Sequence, residues 1–298
     1  MKKALKQYVE VSPYLLAGFV LTIVFVFYPI LRGVYMSFFD YALLHPADSR
    51  FIGLDNYVKA FHDPKFYLAL RNTLIFSLVT VPGQWLFGIV AAMLINLRFL
   101  RFKVVFRLVY YIPVITSWVV VAYLFKYLFA DGAGGLINYL LVEKLHLVSS
   151  PINWLSHTWT ASAVIWLLSI WKGVGYVMVL YLAALQSIPK SLYEAAEIDG
   201  AKSVQNFIHI TLPLMKPMTL FVLVNLIIGS FNVFIQVYLI TDGGPLGSTE
   251  VFTSYLFKHA FKFLDFGYAS ALGLILGLLI LAFTWGFQRN LGQEKVEY

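Results

Sequence analysis

Six mainly apolar runs, each more than twenty residues long, dominate this 298-residue chain, at 14–38, 68–97, 108–129, 159–185, 218–241 and 267–287. A hydrocarbon core of ~30 Å takes about 20 residues of α-helix to cross. The runs therefore predict an all-α, polytopic membrane protein with six transmembrane helices, one domain over 1–298, solvated by a lipid bilayer. Composition agrees where it bears on this. The chain is 60% apolar and 12% charged, against roughly 45–50% and about 25% for soluble domains, and its mean hydropathy is +0.78. A soluble enzyme, a disordered chain and a disulfide scaffold are excluded. With no cysteine, there is neither a thiolate metal site nor a Cys nucleophile.

The cations orient the bundle. With the N-terminus inside, the cytoplasmic segments hold Lys2, Lys3, Lys6, Arg98, Arg101, Lys103, Arg107, Lys190, Lys202, Lys216, Arg289 and Lys295. The outer loops hold Arg50, Lys59, Lys65, Lys144, Lys258 and Lys262. Twelve against six follows the positive-inside rule and places both termini in the cytoplasm. The net charge of +7 is thus a topology marker, and no nucleic-acid partner is expected. The first run passes straight into Tyr28, Pro29 and Arg32 without a small-residue cleavage pattern, so it reads as a span and not as a cleaved signal.

Between the fourth and fifth runs lies a polar segment, 189–217, that reads PKSLYEAAEIDGAKSVQNFIHITLPLMKP. Pro189 suits a helix start, and Glu194 and Glu197 sit early, where the helix dipole favours acids. Gly200 allows the chain to bend, and Pro213 and Pro217 mark the re-entry towards the membrane. The expected product is a short helix, a bend and a second short helix outside the bilayer. Glu194-Ala195-Ala196, Gly200 after three residues, and Ile210-Thr211-Leu212-Pro213 after nine more resemble the EAA motif of permease subunits in binding-protein-dependent ABC importers. Phe51 to Tyr57 (FIGLDNY) and Thr241-Asp242-Gly243-Gly244-Pro245 are similar to carbohydrate importer permeases, of the subunit type that includes the larger maltose permease subunit, here in a short six-span form.

That resemblance implies a type I importer fold and sugar transport across a bacterial cytoplasmic (inner) membrane. It implies a heterodimer with a second permease subunit, two ATPase subunits and an extracytoplasmic solute-binding protein. Glu194, Ala195, Ala196, Asp199, Gly200, Leu212 and Pro213 would form the coupling segment against an ATPase. Asp242, Gly243, Gly244 and Pro245 would face the binding protein. ATP and Mg would be bound by the partner subunits, with no cofactor or metal in this chain.

A sugar path needs aromatic faces and polar groups. Trp171, Gly173 and Tyr176 fall, through the resemblance, on sugar-contact positions. Ser230, Asn232 and Gln236 are polar members of the fifth run, where hydrogen bonding between helices is the competing role. Pro113, Thr116, Ser117 and Trp118 in the third run can unwind a helix and expose carbonyls, as broken helices do in other transporters. The Gly173/Gly175 pair also suits close helix packing. Lys172 lies deep in the fourth run, and all fifteen acids fall outside the six runs. An isolated cation at mid-membrane costs at least ~2.5–3.5 kcal/mol. Lys172 therefore either borders the path and favours an acidic sugar, or is satisfied by carbonyls or by an acid of the partner subunit. Arg32, Arg71 and Lys126 lie nearer the span ends and are expected to snorkel.

The sequence has no phosphate loop, no His-Glu-x-x-His and no Gly-x-Ser-x-Gly, so it is not expected to be an enzyme. An ion-coupled secondary transporter working without ATPases is the alternative, but it would be expected to carry membrane carboxylates.

Overall fold

The computed structural model describes residues 15–97 and 99–291. Lys2, Lys3, Lys6, Arg98 and Lys295, and with them both termini, lie outside the described residues. The elements run in chain order as follows. Helix α1 covers Leu15–Ser37, and strands β1 (Phe39–Asp40) and β2 (Arg50–Phe51) pair antiparallel. Then come α2 (Asp55–His62), α3 (Pro64–Asn96), α4 (Lys103–Ile115), α5 (Trp118–Leu128) and α6 (Thr158–Ser187). The polar segment 189–217 gives α7 (Lys190–Ile198) and α8 (Ser203–Leu214). They are followed by α9 (Lys216–Phe231), α10 (Ile235–Ile240), α11 (Phe252–Phe257) and α12 (Phe266–Leu291).

Among the described residues, four helices are long and apolar enough to cross a membrane unaided: α1, α3, α6 and α12. Two bent pairs, α4 with α5 and α8 with α9, raise the number to as many as six when each pair is counted as one span. The third expected span is therefore not straight. Pro113 has no N–H to donate and Thr116 and Ser117 are extended (φ/ψ −71/143° and −56/135°), so the chain turns by 96° between α4 and α5. The fifth differs at both ends. Its helix bends by 64° at Met215, between Pro213 and Pro217, and it stops at Phe231 where the expected span ran on to 241. Asn232 caps it, and a separate short helix, α10, follows.

The chain forms two compact units. Among the described residues, the first holds 15–64 and Leu256–Leu278. In it Asn56 donates to the carbonyls of Ser37 (2.9 Å) and Phe39 (3.0 Å), and Tyr57 hydroxyl meets Ser37 Oγ at 2.8 Å. The FIGLDNY segment thus ties the end of α1 to α2. Asp265 accepts from Lys59 at 2.7 Å and from the Tyr268 N–H at 3.2 Å. His259 Nδ1 stands 3.8 Å from the same carboxylate, longer than a hydrogen bond. Burial alone would raise the Asp265 pKa, but the contacts with His259 and Lys59 and the Tyr268 N–H outweigh it and hold the carboxyl at about 2.

The second unit, Lys65–Tyr255 with Leu279 onward, is built around α6. One apolar cluster packs Ile89, Ala92, Val177, Met178, Tyr181, Met215 and Val222, and another packs Phe76, Val121, Phe125, Ile165, Leu168, Val233 and Val237. In lipid there is little hydrophobic drive between helices, so close approach of small residues matters instead. Gly83 and Gly88 of α3 let Ile170 and Val177 of α6 in, where a Cβ would lie 2.6 and 2.4 Å from their side chains.

Candidate functional site

Lys172 is 3% exposed, and its ammonium group is bound by the corner of the third span. Its Nζ donates to the carbonyls of Pro113 (2.5 Å), Val114 (3.2 Å) and Thr116 (2.6 Å), and it lies 4.7 Å from the centroid of the Trp118 ring. The last carbonyls of a helix have no partner within it, and a helix C-terminus attracts a cation. Inside a membrane each unsatisfied group costs several kcal/mol. The 96° turn and the deeply placed Lys172 therefore answer each other. The exposed carbonyls expected of Pro113 and Thr116 are present, and they are occupied by Lys172. All three of its N–H bonds are engaged there.

The other residues expected on the path do not all come together. Trp171 is 43% exposed and packs on Phe125, 5.7 Å between centroids. It borders a mainly apolar cavity of about 500 Å³ with Phe87, Tyr110, Pro113 and Ile170. Tyr176 and Trp118 are both exposed, Trp118 over Lys172. Gly173 faces the opposite way, against α3, where a Cβ would meet Gln84 Oε1 at 2.1 Å. Gly175 crosses the Tyr110 carbonyl of α4. Ser230 is buried and shares a 2.7 Å hydrogen bond with Ser77 of α3, so it joins helices in this state. Asn232 donates to Ile228 O at the exposed end of α9, and Gln236 is buried on α10. Lys126 donates to Leu239 O, and Arg32 is held over the Tyr35 and Tyr41 rings.

The polar segment 189–217 forms the helical hairpin that its sequence predicts. Gly200 has φ +79°, a left-handed conformation that suits glycine, and the Ala201 N–H closes the end of α7 on Ala196 O at 2.9 Å. Gln205 Oε1 accepts the Lys202 N–H to start α8, and Tyr193 hydroxyl bonds Thr211 Oγ1 at 2.9 Å across the hairpin. Glu194, Ala195, Asp199, Gly200, Leu212 and Pro213 are exposed, and Ala196 is half-buried. Ile198, 87% exposed, and Val204 add an apolar face that the EAA pattern does not specify. A cavity of about 670 Å³ with a mixed lining lies behind the hairpin, bordered by Asn96, Gln186, Tyr193 and Glu197 together with Leu97 and Phe207.

At the opposite end of α6, the loop after α10 is closed on itself. Asp242 and Gly243 have φ +49° and +82°, and Gly244–Pro245 is cis. Thr249 Oγ1 bonds Gly244 O and Thr241 Oγ1. Asn72 of α3 donates to Ser248 O (2.8 Å) and Glu250 O (2.9 Å), and Thr158 at the start of α6 bonds Ser248 Oγ. Asp242 and Leu246 remain exposed at the tip.

Residues 84–293 match the family described as the binding-protein-dependent transport system inner membrane component. The chain belongs to this permease family. It is 36% identical over 277 residues to the probable ABC transporter permease protein YurN of Bacillus subtilis, covering 92% of this chain and 94% of that one. It is 34% identical over 289 residues to the lactose transport system permease protein LacF of Rhizobium radiobacter, covering 95% of each. Its fold superimposes with a TM-score of 0.85, at 24% identity and 96% coverage of both chains, on a bacterial ABC transporter involved in the import of the acidic polysaccharide alginate. The type I permease fold expected from the sequence is thereby established.

Several of the permease's polar nodes carry no motif. Trp85 Nε1 donates to Tyr181 hydroxyl (2.6 Å), which donates to Thr219 Oγ1 (2.8 Å), joining α3, α6 and α9 at a fully buried tyrosine. Asn138 bonds the backbone of Gly132 and Ile152 and the Trp154 indole, fastening the loop before α6. Polar residues at membrane depth were a usable signal here, and Trp85, Tyr181 and Thr219 were passed over because each alone reads as an ordinary member of an oily run.

Proposed function

We propose that this permease is the membrane subunit of an importer that carries a sugar or oligosaccharide, acidic ones included, into the cytoplasm of a bacterium. It pairs with a second, different permease subunit, two ATPase subunits that bind ATP and Mg, and an extracytoplasmic binding protein. The whole chain acts as one transport domain, without cofactor or metal, in the inner membrane with both termini inside. Support comes from membership of the family and from relatives named for sugars, such as LacF. The observation that carries it is the exposed hairpin hinged at Gly200, which presents Glu194, Ala195 and Ala196 on one short helix. ATP-driven closure of the ATPases would push this hairpin, with Asp199, Leu212 and Pro213 part of the surface that meets them.

In this reading Trp118, Trp171 and Tyr176 supply stacking faces, and Gly173, Ser230, Asn232 and Gln236 come into the path as the helices move. An acidic group would have to displace three carbonyls to reach Lys172. Asp242, Gly243, Gly244 and Pro245 meet the binding protein. The test is uptake into proteoliposomes holding the permease, its partner, the ATPase and the binding protein. Uptake should require ATP and the binding protein. Uptake driven by an ion gradient without the ATPase would overturn the reading in favour of a secondary transporter.

A further inference from the structure

We infer that Lys172 is a positioning residue that carries motion of the coupling hairpin to the corner of the third span. This rests on the importer reading above. The corner leaves the carbonyls of Pro113, Val114 and Thr116 pointing at one place, and Lys172 from another helix fills it. An ammonium has three donors, so the match of three bonds to three carbonyls leaves none over. The ring of Trp118, the first residue beyond the corner, covers another side of the charge, and a desolvated cation–π contact of this kind adds to its hold.

Helix α6 is well suited to transmit. It is continuous over Thr158–Ser187 with no proline inside, and only Ile188 and Pro189 separate it from α7. Fifteen residues separate Lys172 from Ser187, a rise of ~22 Å. One turn further along from Lys172, Gly175 sits against the Tyr110 carbonyl. The last turns of α4 are thus gripped by α6 at two points, a close crossing at 110 and a charge at 113–116. Beyond the corner, α5 carries Trp118 over Lys172 and Phe125 against Trp171. A shift of α6 that keeps the three bonds moves the corner with it, while a shift that breaks them leaves three carbonyls bare in the membrane.

The test uses the full complex in proteoliposomes, with Lys172→Met and Lys172→Arg. The natural absence of cysteine allows Ser117→Cys to place a single reactive thiol at the corner. Sugar moved per ATP hydrolysed should fall at least tenfold in Lys172→Met, through Vmax and equally for neutral and acidic sugars. It should recover to within threefold of the unsubstituted complex in Lys172→Arg. With Lys172 present, the rate of maleimide labelling of the thiol introduced by Ser117→Cys should differ at least threefold between nucleotide-free and vanadate-trapped complexes. Full coupling in Lys172→Met, a loss confined to acidic sugars, or state-independent labelling with Lys172 present would each overturn the proposal, and the last requires no variant of Lys172. Absence of ATP-driven uptake by the unsubstituted complex would overturn the importer reading and this proposal with it. Normal uptake with any of the three results overturns this proposal alone.

Discussion

Gly175 passes Tyr110 so closely that a Cβ on it would stand 2.0 Å from the Tyr110 carbonyl oxygen. The contact is with backbone, so no side chain can swing aside to make room. Gly175→Ala should therefore force α4 and α6 apart, at a cost of ~1–3 kcal/mol as for overpacked cores, and strain the Lys172 bonds next to it. Gly286 meets nothing within 4 Å, and Gly286→Ala should leave stability unchanged or raise it slightly, since alanine favours a helix by ~1 kcal/mol. Thermal unfolding of the two purified variants compares them directly, and equal midpoints would show that the crossing is not tight.

The hairpin of α7 and α8 depends on a backbone angle. Gly200 holds φ +79°, with open space where a side chain would stand. Proline fixes φ near −65°, so Gly200→Pro cannot keep the turn and should abolish transport while the permease still inserts. Gly200→Ala should be milder, with only the ~1–2 kcal/mol cost of a left-handed alanine. Uptake assays beside membrane-fraction immunoblots separate lost coupling from lost insertion. Retained uptake in Gly200→Pro would count against the coupling role.

The places where the sequence was easy to read share a cause. The spans at 68–97 and 159–185 and the hairpin at 189–217 rest on local signals, namely apolar length, prolines and one glycine, and the structure reproduces them within a few residues at most ends. The corner at Thr116 was legible as a weakness, because Pro113 and a Thr-Ser pair interrupt the run. Its angle was not, because the carbonyls it bares are met by a lysine 56 residues away in the chain. Ser230 shows the same limit. Its residue type fits a sugar contact as well as it fits a bond to Ser77, and only the placement of α3 beside α9 distinguishes the two. The end of α9 at Phe231 is hidden in the sequence because residues 233–240, Gln236 apart, stay apolar through the break.

Asp265 makes a prediction about pH in the first unit. Its carboxyl is held at about 2 against an ordinary 3.8. A depressed carboxylate pKa adds stability that is complete above the unfolded value and is lost as pH falls through the folded one. Its contribution should thus be full above pH ~4 and disappear between about 4 and 2. Amide exchange at Tyr268, whose N–H bonds Asp265, should show protection lost over that window. Asp265→Asn should have weaker protection at neutral pH and no such step. An unchanged acid step in the variant would assign the transition to another group.

The node at Tyr181 tests how much polar pairing holds the helices together. Tyr181→Phe removes both bonds at once and leaves the Trp85 indole N–H and the Thr219 hydroxyl without this partner. A buried donor left unsatisfied costs ~1–3 kcal/mol, yet measured interhelical hydrogen bonds in membranes average ~0.6 kcal/mol because polar groups find other partners there. The two figures separate in a double-mutant cycle with Trp85→Phe. If Trp85 stays stranded, Tyr181→Phe should cost well over ~1 kcal/mol and adding Trp85→Phe should return part of it, since the stranded donor is gone. If the indole finds a new acceptor in lipid-exposed or backbone groups, the coupling should shrink towards ~0.6 kcal/mol. Tyr181 is fully buried and Trp85 is half-buried against the same cluster, which leaves little room for a new partner and favours the larger value. Reversible unfolding in mixed micelles measures all four corners of the cycle, and a coupling near zero would mean that packing, and not the bonds, holds α3, α6 and α9 at this point.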